Sequence, residues 1–171
     1  MVGRHTELAA LLEAYDDGVG AVPRTVVVRG EAGVGKTRLV QEFLALVTGD
    51  PLGARPDDAP VIAFGQCVDL GPIGAAFGPV RRVLRDLHAA VGTDALRDAA
   101  GSAAAIASLA ALVPGIADES PEADEPAGEF AEAIEVLLER LSQRRHVVVV
   151  LEDLQWADAA TMALLKTLAS T

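Results

Sequence analysis

Lysine is almost missing from this chain of 171 residues: only Lys36 and Lys166 occur, and 25 acidic residues against 14 Lys and Arg leave a net charge of −11. Binding to a phosphate backbone needs clustered Lys and Arg, so no direct nucleic-acid contact is expected from this region. Cysteine is scarcer still. The lone Cys67 excludes an internal disulfide, and together with His5, His88 and His146 it forms no zinc-binding spacing. Long apolar runs are also lacking: Ala103 to Val113 and Val147 to Leu151 fall short of the roughly 18 to 20 residues that span a bilayer. Arg4 and Glu7 stand where a secretion signal would be apolar. The expectation is a cytoplasmic protein with no membrane contact.

What is present is a hydrophobic content of 51%, enough for one folded domain over residues 1–171. Leu8, Leu11, Leu12 and Tyr15 recur at helical spacing, with Gly18 placed to end the helix. Thr25 to Arg29 (TVVVR) reads as a strand, followed by a glycine-rich loop and a helix carrying Leu39, Val40, Phe43, Leu44 and Val47. Asp50 to Pro60 reads as a loop and Val61 to Val68 as a second strand. Residues 70–128 read as a helical and loop insertion, best patterned at Val80, Val83, Leu84, Leu87 and Val91. Its last part, Ser120 to Gly128, is acidic and proline-rich and cannot join a core. Phe130, Ile134, Leu137, Leu138 and Leu141 mark a further helix. His146 to Leu151 (HVVVVL) reads as a strand buried on both faces of a parallel sheet, and Ala159 to Ser170 as a final helix.

The glycine-rich loop, GEAGVGKT at Gly30 to Thr37, carries the chemistry. It fits G-x-x-x-x-G-K-T through Gly30, Gly35, Lys36 and Thr37, between a strand and a helix. Glycines let successive backbone N–H groups turn toward phosphate oxygens, Lys36 can reach the β- and γ-phosphates as a point charge, and the Thr37 hydroxyl can ligate Mg²⁺. The helix behind the loop directs its positive end at the same place. The expected phosphate-binding stretch is Gly30, Glu31, Ala32, Gly33, Val34, Gly35, Lys36, Thr37 and Arg38, with Glu31 and Val34 contributing backbone only. ATP with Mg²⁺ is the expected ligand, since no guanine-specifying Asp motif is evident.

A second element is the acidic pair Glu152 and Asp153 that closes the apolar run. A carboxylate at the carboxyl edge of such a sheet can hold Mg²⁺, and a neighbour can orient or deprotonate water. By position Glu152 takes the first role and Asp153 the second, and both are candidates for either. Lys36, Asp153 and Glu152 are thus the candidate catalytic residues, and Thr37, Glu152 and Asp153 the candidate metal ligands. Asp158 reads as a helix N-cap, Trp156 as a packing residue and Cys67 as a small buried hydrophobe.

Three segments together, VGRHTEL at Val2 to Leu8, GEAGVGKT, and VVVVLEDLQWAD at Val147 to Asp158, resemble the STAND class of AAA-related ATPases. Their order is similar to that in the ATPase module of large LuxR-type bacterial transcriptional regulators. The resemblance implies a P-loop NTPase fold, a three-layer αβα arrangement with a mainly parallel sheet. It also implies that Val2, Gly3 and Arg4 lie beside adenine and ribose. Members of the class commonly carry Asp where Glu152 stands, so the carboxylate roles are assigned to the pair. In such ATPases a further strand after the second motif lies between the two motif strands and carries a sensor residue. The chain is therefore expected to be the front portion of a longer polypeptide with an incomplete sheet and C-terminal effector domains. The functional expectation is an ATP-binding switch with slow hydrolysis at most. The alternative is a P-loop kinase that uses Arg81, Arg82, Arg85 and Arg97 as a phosphate-clamping lid.

Overall fold

The structure is a computed structural model that describes residues 4–18, 23–49, 59–69, 76–113, 115–116 and 127–170. It divides into two compact units, Met1–Pro60 and Val61–Thr171.

The first unit is a pair of packed helices, α1 (His5–Asp17) and α2 (Lys36–Val47). On α1 the apolar stripe Leu8, Leu11, Leu12 and Tyr15 is half-buried while most other positions are exposed. On α2 the buried residues are Leu39, Phe43 and Leu44, the face that the 3.6-residue period selects. The two stripes meet where the Tyr15 and Phe43 rings pack edge to face at 6.0 Å. Gly18 caps α1 in a right-handed conformation, its N–H shared between the carbonyls of Ala14 and Tyr15.

Thr25 to Arg29 corrects the sequence reading: the segment belongs to no β-ladder. Val26 and Val27 are 48% and 56% exposed. β-propensity is realised only when a neighbouring backbone supplies hydrogen bonds. Among the described residues of this unit there is no other strand to provide them.

The second unit is built on a two-stranded parallel sheet. β1 (Val61–Gln66) pairs with β2 (Val147–Glu152) in the register Val61 to Val147 through Gln66 to Glu152. Between them the chain forms α3 (Gly78–Val91), α4 (Thr93–Ala100), α5 (Ala103–Ala110) and α6 (Ala127–Ser142), and after them α7 (Ala159–Leu168). Val61, Ala63 and Gly65 alternate onto the buried face of β1, against α3. Gly65 permits that approach, because a Cβ there would lie 2.7 Å from the Pro79 carbonyl oxygen. Leu84 and Leu87 of α3, Leu96 of α4, Leu109 of α5, Ile116 and Leu137 of α6 are essentially fully buried in one continuous cluster. The stretch read as an insertion thus supplies much of this unit's core.

β2 is less covered than its sequence suggests. Val149 is 37% exposed, and Phe64, on the opposite face from Ala63, is 40% exposed. A run of β-branched residues is compatible with burial on both faces, but two strands and a helical layer cover mainly one. The observed arrangement is a two-stranded parallel sheet within a mainly helical unit. The outer edge of β1 is closed locally from α3: the Asp86 carboxylate accepts from the Phe64 N–H at 3.0 Å and from Arg82 Nε at 2.9 Å. A side chain that occupies a free strand N–H discourages further pairing at that edge.

Candidate functional site

Gly33 and Gly35 hold the loop before α2 in left-handed backbone, at φ 77° and 89°, where a Cβ would be strained. Gly35 is also the residue that precedes the helix, so no side chain caps α2. The N–H groups of Lys36, Thr37 and Arg38 therefore open the helix without an intrahelical acceptor, at its positive end. Lys36 bends back over the loop, where its ammonium donates to the carbonyls of Gly30 at 3.0 Å and Glu31 at 2.9 Å. Two neutral carbonyls are weaker partners for an ammonium than charged phosphate oxygens, so an anion at the loop can draw the cation away from them. The Thr37 hydroxyl is exposed and has no protein partner among the described residues. Glu31, Ala32, Gly33 and Val34 are exposed as well.

Arg4 is joined to this loop. Its guanidinium donates to the Val34 carbonyl across 30 positions of sequence. That contact fixes the start of α1 against the loop and is the one part of the Val2, Gly3, Arg4 expectation that can be located. Val2 and Gly3 lie outside the described residues.

The acidic pair sits in the second unit at the carboxyl end of β2. Glu152 is half-buried in the last strand position and pairs in register with Gln66. Asp153 follows in left-handed backbone, φ 59° and ψ 40°, which Asp tolerates better than most residues. Each of its carboxylate oxygens is held by an amide: Gln66 Nε2 donates to Oδ2 at 3.3 Å and Gln155 Nε2 to Oδ1 at 3.2 Å. A single turn of 3₁₀ helix, Leu154–Trp156, then carries the chain away from the sheet. Neither Gln66 nor Gln155 was singled out from the sequence. The available signal was slight: a polar residue ending the apolar run of β1.

Among the described residues no group of three or more His, Cys, Asp or Glu side chains is arranged to hold a metal. Proteins usually hold Mg²⁺ through one or two carboxylates with the remaining ligands from water and phosphate.

A family model described as the AAA ATPase domain matches residues 1–171. The chain belongs to the AAA ATPase domain family. No curated protein and no solved structure matches it. Family membership carries the α/β P-loop NTPase fold and nucleotide binding as the general property. Among the described residues of this AAA ATPase domain, no helix is long and apolar enough to cross a membrane.

Beyond the acidic pair, the AAA ATPase domain closes its β2 end with Asp158, the N-cap of α7. Its carboxylate accepts from Thr161 N–H at 2.8 Å and Thr161 Oγ1 at 2.6 Å, and Thr161 is fully buried. Partial burial pushes the Asp158 carboxyl up, but the hydrogen bonds from Thr161 and from the Phe77 backbone outweigh it and hold the carboxyl below its ordinary range. A lowered folded-state value means stabilisation that is present at neutral pH and lost as pH falls through that value. Asp158→Ala is accordingly expected to cost about 1 kcal/mol at pH 7. The difference from wild type should shrink in urea titrations repeated below the ordinary carboxylate range. A difference that stayed constant with pH would show that the carboxylate is not the stabilising group.

Cys67 is buried beside the same strand ends, and its backbone N–H donates to the Glu152 carbonyl at 3.0 Å. Burial, with the charges of Asp158 and Asp153, pushes its thiol up, so it acts as a small apolar residue. Trp156 departs from the sequence reading. It is 51% exposed because the short turn after β2 carries it past the strand end, where among the described residues no element covers it.

Proposed function

We propose that this AAA ATPase domain is a Mg-ATP-binding switch module of a signal-responsive bacterial transcriptional regulator, with slow hydrolysis at most. The observation that carries the nucleotide part is the loop around Lys36: an ammonium resting on the Gly30 and Glu31 carbonyls, beside left-handed Gly33 and Gly35, at the uncapped start of α2.

In this reading the N–H groups from Gly33 to Arg38 bind the phosphates, and Lys36 moves from the loop carbonyls to the outer phosphate oxygens. Glu31 and Val34 contribute backbone, as do Gly30, Ala32 and Gly35. Thr37 in the first unit, and Glu152 and Asp153 in the second, are the candidate ligands for Mg²⁺, which would neutralise phosphate charge when bound. One carboxylate of that pair orients water. Gln66 and Gln155, on the two oxygens of Asp153, favour that carboxylate as the oriented one. Val2, Gly3 and Arg4 flank the base and ribose. The regulator part rests on the resemblance of VGRHTEL and VVVVLEDLQWAD to the ATPase module of LuxR-type proteins, and it assigns DNA contact to effector domains elsewhere in such a polypeptide.

Titration calorimetry tests the binding. Folded protein should bind ATP in the micromolar range with Mg²⁺ and more weakly in EDTA, and phosphate release should be on the order of 10⁻² per second or slower. No heat with folded protein at about 1 mM nucleotide would rule the reading out. The regulator part has its own test. Introducing Lys36→Ala into the native gene should change the cell's transcript profile, and an unchanged profile would remove that assignment.

A further inference from the structure

The two helices of the first unit run side by side in the same direction. Arg4, at the start of α1, meets Val34 just before α2, and Tyr15, near the end of α1, meets Phe43. The Arg4 carbonyl accepts from the Leu8 N–H at 3.1 Å, so the backbone of this arginine belongs to the helix it opens. A docked helix therefore carries the Arg4 guanidinium to the glycine-rich loop.

Its acceptor there is the Val34 carbonyl, between left-handed Gly33 and Gly35, each with open space where a Cβ would stand. Backbone next to glycine rotates more freely than elsewhere, and Val34 is 45% exposed. Among the described residues no other hydrogen bond reaches residues 31–35 from outside residues 30–39. The remaining bonds are local: the Val34 N–H donates to the Glu31 carbonyl at 3.4 Å, and the Lys36 ammonium rests on the carbonyls of Gly30 and Glu31. When Lys36 moves to phosphate oxygens those last two bonds are lost, whereas the bond from Arg4 has no reason to break. The peptide joining Val34 to Gly35 is trans. In a planar trans peptide the carbonyl and the N–H point in opposite directions, so whatever holds the Val34 carbonyl also holds the Gly35 N–H.

We propose that Arg4 is a positioning residue for phosphate binding: by holding the Val34 carbonyl it keeps the Gly35 N–H directed at the phosphate position before any ligand arrives. This role rests on the nucleotide-binding reading and gives Arg4 a task on the phosphate side of the site, besides its place beside base and ribose. The gain is one of preorganisation, since the orientation is fixed on folding and not at the moment of binding.

Inorganic tripolyphosphate separates the two tasks, because it carries phosphates without base or ribose. In calorimetry Arg4→Ala is expected to weaken Mg-tripolyphosphate binding by about tenfold. Arg4→Lys, which keeps a charged donor for the single carbonyl, should stay within about threefold of wild type. In ligand-free protein the ¹⁵N NMR cross-peak of Gly35 should shift and broaden in Arg4→Ala and return toward its wild-type position in Arg4→Lys. Tyr15→Leu controls for helix docking: it should lower the thermal midpoint and leave tripolyphosphate affinity unchanged. Tripolyphosphate affinity that Arg4→Ala leaves intact overturns the proposal, even where ATP binds more weakly, since Arg4 then serves base and ribose alone. An unmoved Gly35 cross-peak overturns it too, as do equal losses of affinity in Arg4→Ala and Tyr15→Leu. Wild-type protein that binds neither ATP nor tripolyphosphate removes the nucleotide reading, and this assignment with it.

Discussion

Lys36→Ala is expected to weaken Mg-ATP binding by about 100-fold, close to 3 kcal/mol, in calorimetry at fixed Mg²⁺ and salt. The estimate follows from removing one ammonium that would make charge-assisted bonds to phosphate, each worth about 1.5–3 kcal/mol. Binding should be weakened and not erased, since Gly33, Gly35 and the uncapped N–H groups of α2 keep their geometry without the lysine. The fold should survive, because the Lys36 ammonium bonds only to exposed loop carbonyls, and the far-UV circular dichroism should match wild type. Lys36→Arg is not expected to restore affinity, because a planar fork does not replace a compact point charge. A change of less than about threefold on Lys36→Ala would mean that nucleotide, if bound, sits elsewhere.

The largest expected loss of stability comes from Leu137→Ala. Leu137 is fully buried on α6, in the cluster that also contains Leu96 of α4 and Leu109 of α5. Truncation removes its transfer free energy and leaves a cavity in a packed interior, about 3 kcal/mol in total. Urea unfolding should show a lower midpoint with the slope unchanged. Leu46→Ala is the matching control: Leu46 is 53% exposed on α2 and its loss should stay within about 0.5 kcal/mol. Equal effects of the two substitutions would contradict the placement of the core.

The helices of both units were legible because each is specified by a local period. Leu39, Phe43 and Leu44 can be read as one face without knowing what they face, and so can Ile134, Leu137 and Leu141. The strands were harder. Val61–Gln66 and Val147–Glu152 pair as parallel strands, whereas TVVVR, equally β-branched, does not pair at all. Propensity alone cannot separate these cases, because a ladder is made with residues far away in the chain.

The same division runs through the candidate site. The phosphate-binding loop is determined by the sequence on its own, since its glycines, its lysine and the start of α2 lie within nine consecutive residues, and the backbone turns that it needs follow from residue type. Asp158 was equally readable as a cap, because its partner Thr161 is three residues on. Tertiary structure alone decided that Gln66 reaches Asp153 across 87 positions, that Asp86 occupies the Phe64 N–H, and that Arg140 comes to rest over Gly101. Those contacts depend on which strands and helices become neighbours, and that choice is made by burial over the whole unit, for which no short stretch of sequence carries the signal.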